Sequence, residues 1–338
     1  MLRVAVFGCG YWGPKVIRNL HALDGCEVRV ACDSDPERVE AVRKTYPTIR
    51  RVDRTEDVLG DPDVDGVVIC TPVRTHFPLA RAALEAGKHV LVTKPMTDSV
   101  ESAETLVELA EARGLTLQVD HTFIYSGAVQ KAREIIESGA VGELLYADFV
   151  RVNLGLFQTD TSVLWDLAPH DLSILDYLVD ASPRWVSAIG TRHYGQFEDQ
   201  AYVTVGYDGS FIGHLHVNWL APVKVRSTLI GGSRRMIVYD DLEPSEKVRV
   251  YDKGVTLAGD AGSREQALVD YRVGDMYAPH IDKTEPLQKV CESFRDAIVR
   301  GVPCPTDGAA GLSVVRMLEA AQESIRKNGE RIFLESGR

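Results

Sequence analysis

The sequence predicts a two-domain chain: a doubly wound parallel α/β sheet, then an α+β domain built on a large, mostly antiparallel open sheet. Three observations carry this expectation. The first third of the chain alternates apolar strand-like runs with helical stretches, the pattern of parallel strands joined by crossovers. From Leu144 onward, strand-like runs mostly follow one another with turns between, the pattern of antiparallel pairing. A length of 338 residues is enough to bury two cores. The expected domains are residues 1–122 and 123–338.

Composition narrows the function classes. With 45% hydrophobic and 26% charged residues, the chain has an ordinary globular make-up. A formal net charge of −11 argues against nonspecific nucleic-acid binding and anionic membrane surfaces. An anionic small substrate needs only a local basic patch and stays open. Cys9, Cys26, Cys32, Cys70, Cys291 and Cys304 form no C-x-x-C pair and no zinc spacing. No metal is therefore expected, and reduced thiols in the cytoplasm are. The N-terminus leads straight into a strand, so no secretory leader is expected. No apolar run reaches the roughly 18 residues of a membrane span.

Arg3-Val-Ala-Val-Phe7 reads as a buried strand, and Gly8-Cys-Gly10-Tyr-Trp-Gly13 follows in G-x-G-x-x-G spacing. In that spacing Gly8 permits the tight turn, Gly10 lets backbone approach a pyrophosphate, and Gly13 lets the next helix pack on the strand. Tyr11 and Trp12 lie in the same turn and are candidate cofactor contacts, with Trp12 also a candidate pocket wall. A helix opening near Pro14 points free N–H groups and a positive dipole end at phosphates. The second strand, Glu27–Cys32, ends at Asp33, 25 positions after Gly8. An acidic residue at about 20 positions binds the adenosine ribose hydroxyls. Together these features predict a Rossmann dinucleotide site. The structural alternative for Asp33 is a turn residue, because Ser34-Asp35-Pro36 also forms a turn. A carboxylate repels a 2′-phosphate, and no arginine immediately follows Asp33, so NAD is favoured over NADP.

The remaining elements follow in order. A polar helix is expected over Pro36–Thr45, a short strand near Ile49–Val52, and a buried strand over Asp65–Cys70 that runs into Thr71-Pro72. Arg74–Ala86 reads as an amphipathic helix, His89–Thr93 as a strand, Ser99–Arg113 as a helix and Leu115–Val119 as the last strand of the series. Gly127–Ser138 reads as a helix. Strands are then expected over Leu144–Asn153, Trp185–His193, Ala201–Tyr207, Phe211–Trp219, Val225–Ile230, Met236–Tyr239 and Lys247–Tyr251. One helix, Leu167–Leu178, interrupts them, and Pro286–Val299 and Gly308–Asn328 close the chain. The polar stretch Gly254–Thr284 reads as loop-rich.

Sheets of the first kind bind ligands at the C-terminal ends of their strands, which gathers Thr71, Lys94 and Asp120-His121. Lys94 stands at such an end, before Pro95, where an ammonium can stabilise a developing alkoxide. The plain alternative is a solvated surface lysine. Asp166 and His170 are four apart on one predicted helix and share a face. A histidine suits proton transfer near neutral pH, and a carboxylate can orient it. Equally, Asp166 reads as the helix N-cap with Pro169 in the first turn and His170 in the core. His121 reads either as a substrate contact or as a structural histidine. Lys224 and Arg226 read as a solvated strand face or as phosphate contacts, and His214 and His216 share one sheet face without a third metal ligand.

The Gly8–Gly13 turn, Thr71-Pro72 with His76 after it, Thr93-Lys94-Pro95 and Asp166-x-x-x-His170 occur together in this order. The chain thereby resembles, over its whole length, the glucose–fructose oxidoreductase / inositol dehydrogenase / rhizopine-catabolism (Gfo/Idh/MocA) family. Its Gly10-Tyr-Trp-Gly-Pro14 and Trp165–Ser173 segments resemble a subgroup met in sugar and nucleotide-sugar pathways. The resemblance implies that Lys94 binds and polarises the reacting hydroxyl, that His170 accepts its proton, and that Asp166 is the acidic companion. It also implies that Thr71, Pro72 and His76 border the nicotinamide. One departure stands out: Thr93 occupies the place where the family usually has glutamate. The implied activity is NAD-dependent hydride transfer at a secondary alcohol or ketone of a sugar, cyclitol or nucleotide sugar, by a homodimer or homotetramer. The rival readings are a sensor that binds NAD and sugar without turnover, and a reductase of an imine or diene-diol.

Overall fold

The computed structural model describes residues 1–155, 158, 160–258 and 268–334. By its contacts the chain divides into two compact units, Met1–Tyr125 with Thr284–Glu319, and Ser126–Lys283 with Ala320–Arg338. Residues 284–319, expected with the second domain, therefore group with the first.

The first unit opens with strand β1 (Leu2–Phe7) and helix α1 (Gly13–Ala22), then β2 (Cys26–Cys32) and α2 (Pro36–Thr45). It continues through β3 (Arg50–Val52), α3 (Glu56–Leu59), β4 (Gly66–Ile69), α4 (His76–Glu85), β5 (His89–Thr93), α5 (Val100–Arg113) and β6 (Leu117–Asp120). These strands form one sheet in the order β3-β2-β1-β4-β5-β6. Every pairing in it is parallel. The order reverses between β1 and β4, and such a switch point opens a crevice at the C-terminal strand ends. Val4, Ala5, Val67, Val90 and Val92 are fully buried, as expected of strands covered by helices on both faces.

Local chemistry sets the helix starts. Asp35 accepts the Glu37 N–H at 2.9 Å with Pro36 beginning α2, and the Ser99 hydroxyl caps α5 by accepting the Ser102 N–H at 3.3 Å.

The second unit begins with α6 (Gly127–Glu137), β7 (Leu144–Val152) and α7 (Val163–Leu178). Strands β8 (Trp185–Thr191), β9 (Gln200–Gly206), β10 (Ile212–Asn218), β11 (Val225–Gly232), β12 (Met236–Asp240) and β13 (Val248–Tyr251) follow. Next come β14 (Gly254–Ala258), β15 (Leu268–Arg272) and β16 (Met276–Tyr277). The chain closes with α8 (Pro286–Arg300), α9 (Gly308–Arg326) and β17 (Ile332–Phe333). Nine strands form a sheet in the order β16-β13-β12-β11-β7-β10-β9-β8-β17. Its pairings are antiparallel except for β7 with β10. One face of β7, β9 and β10 presents buried Ala147, Phe149, Val203, Val205, Leu215 and Val217. The opposite face carries Tyr146, Tyr202 and Ile212, which are exposed.

Two expectations change here. The stretch read as loop-rich contains the β14–β15 pair, and its residues 259–267 lie outside the described part. The shift of 284–319 to the first unit has a packing reason. Helix α8 buries Leu287, Val290, Cys291 and Phe294 along one face, and a Cβ on Gly66 of β4 would touch the Phe294 ring at 3.4 Å. Val119 donates its N–H to Thr306 at 2.8 Å, and Gln118 forms a bridge with Asp307, so this segment covers the β6 edge. Among the described residues no helix is long and apolar enough to cross a membrane.

The glycine turn is the tightest point of the first unit. Gly8 has φ +89°, and a Cβ there would stand 2.7 Å from the Cys70 carbonyl oxygen. A Cβ on Gly13 would stand 2.0 Å from the Gly8 carbonyl oxygen, so α1 reaches β1 only because the side chain is absent. Gly13→Ala is expected to lower unfolding free energy by about 1–3 kcal/mol, the usual range for overpacking. Denaturant melts measure this, and an unchanged midpoint would contradict the contact.

Candidate active site

The cofactor end is built by the turn between β1 and α1. Trp12 takes the N-cap position of α1 but offers no side-chain cap, and no acidic residue lies in the first turn. Pro14 carries no N–H, and the Lys15 and Val16 N–H groups turn back to the Trp12 carbonyl at 2.9 and 3.2 Å, so the positive end of the helix dipole meets no acidic side chain of its own first turn. A Cβ on Gly10 would meet only the Arg38 guanidinium, at 3.7 Å, which leaves the approach to its backbone open. Asp33 accepts the Cys9 N–H at 2.7 Å and the Asp35 N–H at 2.9 Å, so its carboxylate braces the turn. These features fit a dinucleotide: open backbone at Gly10, a helix N-terminus with no acidic side chain in its first turn, and a carboxylate fixed at the end of β2. Tyr11 is exposed, with the Lys15 ammonium 3.6 Å from its ring centre.

Arg38 was not anticipated. It lies in the first turn of α2, with its guanidinium 3.2 Å from Asp35 and 4.0 Å from Asp33. Adjacency to Asp33 does not reveal it, because the turn of α2 brings back a residue five places along. The available signal was Pro36, which starts the helix and so places Arg38 beside the strand end.

At the ends of β4, β5 and β6 the side chains interlock. His76 is buried between two backbone carbonyls, with Nδ1 2.9 Å from that of Pro95 and Nε2 2.8 Å from that of Thr71, and a neutral ring donates its single N–H to one of them. It therefore pins the turns after β4 and β5 together. Burial holds its pKa below the ordinary value, partly offset by those carbonyls. The hydroxyl of Thr93 lies 3.2 Å from the Ile69 carbonyl and 3.3 Å from His76 Nε2. Thr71 accepts the Thr75 hydroxyl at 2.7 Å, and Pro72 is exposed beside it. Lys94 follows at the end of β5, half-buried, with a cis bond to Pro95. Asp120 ends β6 and accepts the Trp12 indole N–H at 2.7 Å and the Thr122 hydroxyl at 2.6 Å. His121 is buried with neither ring nitrogen hydrogen-bonded. Burial, helped by the Lys94 charge, pulls it down to about 3, so it is a neutral imidazole at working pH. A buried, unmatched imidazole beside a lysine has the character of a ligand contact.

In the second unit Asp166 and His170 project from α7, both half-buried and one turn apart. The helix starts earlier than expected. Its cap is Ser162, which accepts the Trp165 N–H at 3.5 Å, so Asp166 is not the N-cap. Pro169 consequently lies inside the helix, and it has no N–H for the Trp165 carbonyl. Asp171, next to His170, is fully engaged by Arg151 of β7. Arg151 Nε lies 3.0 Å from both carboxylate oxygens, Nη2 lies 2.6 Å from Oδ1, and the side chains are 5% and 4% exposed. This buried fork fixes the rotation of α7, and hence the face on which His170 emerges.

Other candidates resolve into structural roles. Arg226 pairs with Asp241 at 3.2 Å. His214 accepts or donates at 3.1 Å with Thr204, and His216 stacks on Tyr202 with ring centres 4.4 Å apart. Among the described residues no cluster of three metal-type side chains occurs, and the six cysteines are free thiols. Burial pushes Cys9 up to about 12 and Cys32 to about 11, far from a reactive thiolate.

His121 makes stability depend on acid. Its native pKa lies below the unfolded value of 6.5, so its contribution is present above pH 6.5 and drains as pH falls toward about 3. The slope from this one group is up to about 1.4 kcal/mol per pH unit. Urea melts at pH 7, 5 and 4 should show a shallower decline in His121→Phe than in wild type. Parallel declines would contradict the buried neutral imidazole.

Comparison with known proteins agrees with this geometry. Residues 2–121 match the family model described as "Oxidoreductase family, NAD-binding Rossmann fold", and residues 129–238 match "GFO/IDH/MocA C-terminal domain". The uncharacterized oxidoreductase YdgJ of Escherichia coli (strain K12) is 31% identical over 258 residues, 73% of each chain. UDP-N-acetylglucosamine 3-dehydrogenase of Acidithiobacillus ferrooxidans is 28% identical over 323 residues, 93% of this chain and 94% of its own. The crystal structure of GenD2 from gentamicin A biosynthesis in complex with NAD has the same fold, with TM-score 0.84 at 23% identity over 99% of this chain and 97% of that one. The glycine turn, the order of the six-stranded sheet and both family matches agree, and the chain belongs to the Gfo/Idh/MocA oxidoreductases, with an NAD-binding Rossmann domain followed by the family's C-terminal domain.

Proposed function

We propose that this protein is an NAD-dependent oxidoreductase interconverting a secondary alcohol and a ketone on a sugar, cyclitol or nucleotide sugar. The observation that carries the reading is the group of strand ends that holds Lys94 and the unmatched His121 on the same sheet as the open Gly10 turn. The similarity to a UDP-N-acetylglucosamine dehydrogenase supports the nucleotide-sugar end of that range.

Gly10, the N-terminus of α1 and Asp33 would hold pyrophosphate and ribose, with Tyr11 and Trp12 beside them. Bound NAD supplies the hydride chemistry. Thr71, Pro72 and His76 shape the border of the nicotinamide end. Lys94 binds the reacting oxygen and stabilises negative charge on it. His170 takes the hydroxyl proton at an imidazole nitrogen, and Asp166, one turn away, orients it and offsets the charge it gains. The Arg151–Asp171 fork keeps that face of α7 fixed while the proton moves.

A panel of inositols, sugars and nucleotide sugars with NAD⁺, followed by NADH absorbance, tests the reading. We expect turnover on one class, with kcat lowered about 10²–10⁴-fold in His170→Ala and comparably in Lys94→Ala. Turnover unchanged in both variants would overturn the assignment. No turnover in either direction, with NADH still bound, would favour the sensor reading. Titrations of both reduced dinucleotides test the role of Asp33. NADH should bind more tightly than NADPH, and the reverse order would assign Arg38 to a 2′-phosphate instead.

A further inference from the structure

We propose that Asp199 is a positioning residue for the first turn of α7: it fixes the peptide group to which that turn is bonded, and so holds Asp166 in place one turn before His170. The inference rests on the roles given to Asp166 and His170 above.

Asp199 stands just before β9, and its side chain is 0% exposed, a place where a carboxylate is kept only with partners. The hairpin between β8 and β9 supplies them. Oδ2 accepts the backbone N–H groups of His193 at 2.7 Å and Tyr194 at 2.9 Å, and Oδ1 lies 2.8 Å from His193 Nδ1. The backbone of Asp199 is tied on both sides as well. Its N–H donates to the carbonyl of Thr191, the last residue of β8, at 3.0 Å. Its carbonyl accepts the N–H of Trp219, just past β10, at 3.0 Å. The peptide group joining Glu198 to Asp199 is therefore fixed in place and in orientation. Its other end, the Glu198 carbonyl, accepts the N–H of Val163 at 2.9 Å. Val163 is the first residue of α7, and its N–H is one that no bond within the helix can satisfy. One peptide group thus links the end of β8 to the start of the helix.

The link matters because α7 is weak at its next step. Pro169 has no N–H for the Trp165 carbonyl, so one rung between the first turn and the rest of the helix is missing. The Arg151–Asp171 fork holds the helix beyond that gap, where His170 lies. Asp166 lies before it. The Asp166 N–H bonds the Ser162 carbonyl at 3.0 Å, and the Ser162 hydroxyl accepts the Trp165 N–H at 3.5 Å, a long cap. Val163 and Leu164 are buried, but apolar contact is non-directional and sets no rotation by itself. The directional hold on this turn from outside the helix start is the Glu198 carbonyl. The placement of Asp166 against His170 is thus set by two anchors, the fork on one side of Pro169 and the Asp199 hairpin on the other.

The test uses the full chain with Asp199→Ala and Asp199→Asn. One readout needs neither substrate nor dinucleotide: amide hydrogen exchange, resolved to single residues by fragmentation mass spectrometry. Asparagine keeps one oxygen for the two backbone N–H groups, and its NH2 can donate to His193 Nδ1, so Asp199→Asn should exchange like wild type. Asp199→Ala removes every side-chain acceptor. Exchange over residues 163–166 should then rise about 2–30-fold, the span of a lost helix-end contact, while residues 171–178 stay as slow as before. An unchanged first turn in a folded Asp199→Ala, or an equal rise along all of α7, would overturn the positioning role. Should Asp199→Ala not fold, wild type in low urea carries the test. The Val163 and Tyr194 amides should open together with one urea dependence, and opening of Val163 alone would overturn the tie. The second readout is kinetic. On the alcohol that is turned over, Asp199→Ala should lower kcat about 10–100-fold at unchanged KM, and Asp199→Asn should recover it. A loosened first turn with full kcat would overturn the positioning of Asp166. The exchange result stands whether or not any alcohol is turned over, so failure of this inference and failure of the proposed reaction are separable.

Discussion

A Cβ on Gly13 would lie 2.0 Å from the Gly8 carbonyl oxygen, and this near-contact between α1 and β1 governs everything the first unit presents. It brings the N-terminus of α1 against the end of β1, next to the switch point between β1 and β4. The positive end of α1 then stands at the strand ends, where Asp33 closes the turn from β2 by accepting the Cys9 N–H. Trp12, carried by the same turn, reaches Asp120 on β6, and His76 links the turns after β4 and β5. Without the close approach, the Cys9 and Trp12 bonds lose the backbone position they depend on.

The second unit solves its problem differently. The proton-transfer role proposed for His170 needs a fixed rotation about the helix axis, and α7 contains a proline that weakens its own ladder by roughly 3 kcal/mol. Two things oppose that cost. Val163, Leu164, Leu172 and Leu175 bury one side of α7, and the fork between Arg151 and Asp171 locks its rotation. A buried ion pair adds little net stability by itself, but breaking it leaves a buried charge. The pair thus holds α7 in one orientation, with Asp166 and His170 half-buried on the side away from Leu172 and Leu175.

Much of this was legible in sequence because it is local. The glycine spacing and the strand and helix runs each act within a few residues, and they mark the elements of the first sheet closely. The family resemblance rests on the same local motifs and is shown by both family matches. What stayed hidden depends on distant partners. Arg151 and Asp171 are 20 residues apart, and Trp12 and Asp120 are 108 apart. The membership of α8 in the first unit is set by the Phe294 face meeting β4. The start of α7 at Val163 was obscured because Asp166 and Pro169 imitate a helix entry, while the true cap is Ser162. Arg38 escaped because helical geometry, rather than adjacency, brings it to Asp33. The charge state of His121 escaped because burial decides it, with help from the charge of Lys94, distant in sequence.

The central claim is that the site moves hydride between a carbinol carbon and the dinucleotide, rather than merely holding both. The most direct test is a single turnover with NAD⁺ and an alcohol of the proposed class, such as UDP-N-acetylglucosamine, deuterated at its ring carbinol carbons. Mass spectrometry of the reduced dinucleotide reads the outcome. The account predicts one deuterium in the dinucleotide per ketone formed. Tight binding of the dinucleotide and of a sugar with no deuterium transferred, across inositols, sugars and nucleotide sugars alike, would contradict it.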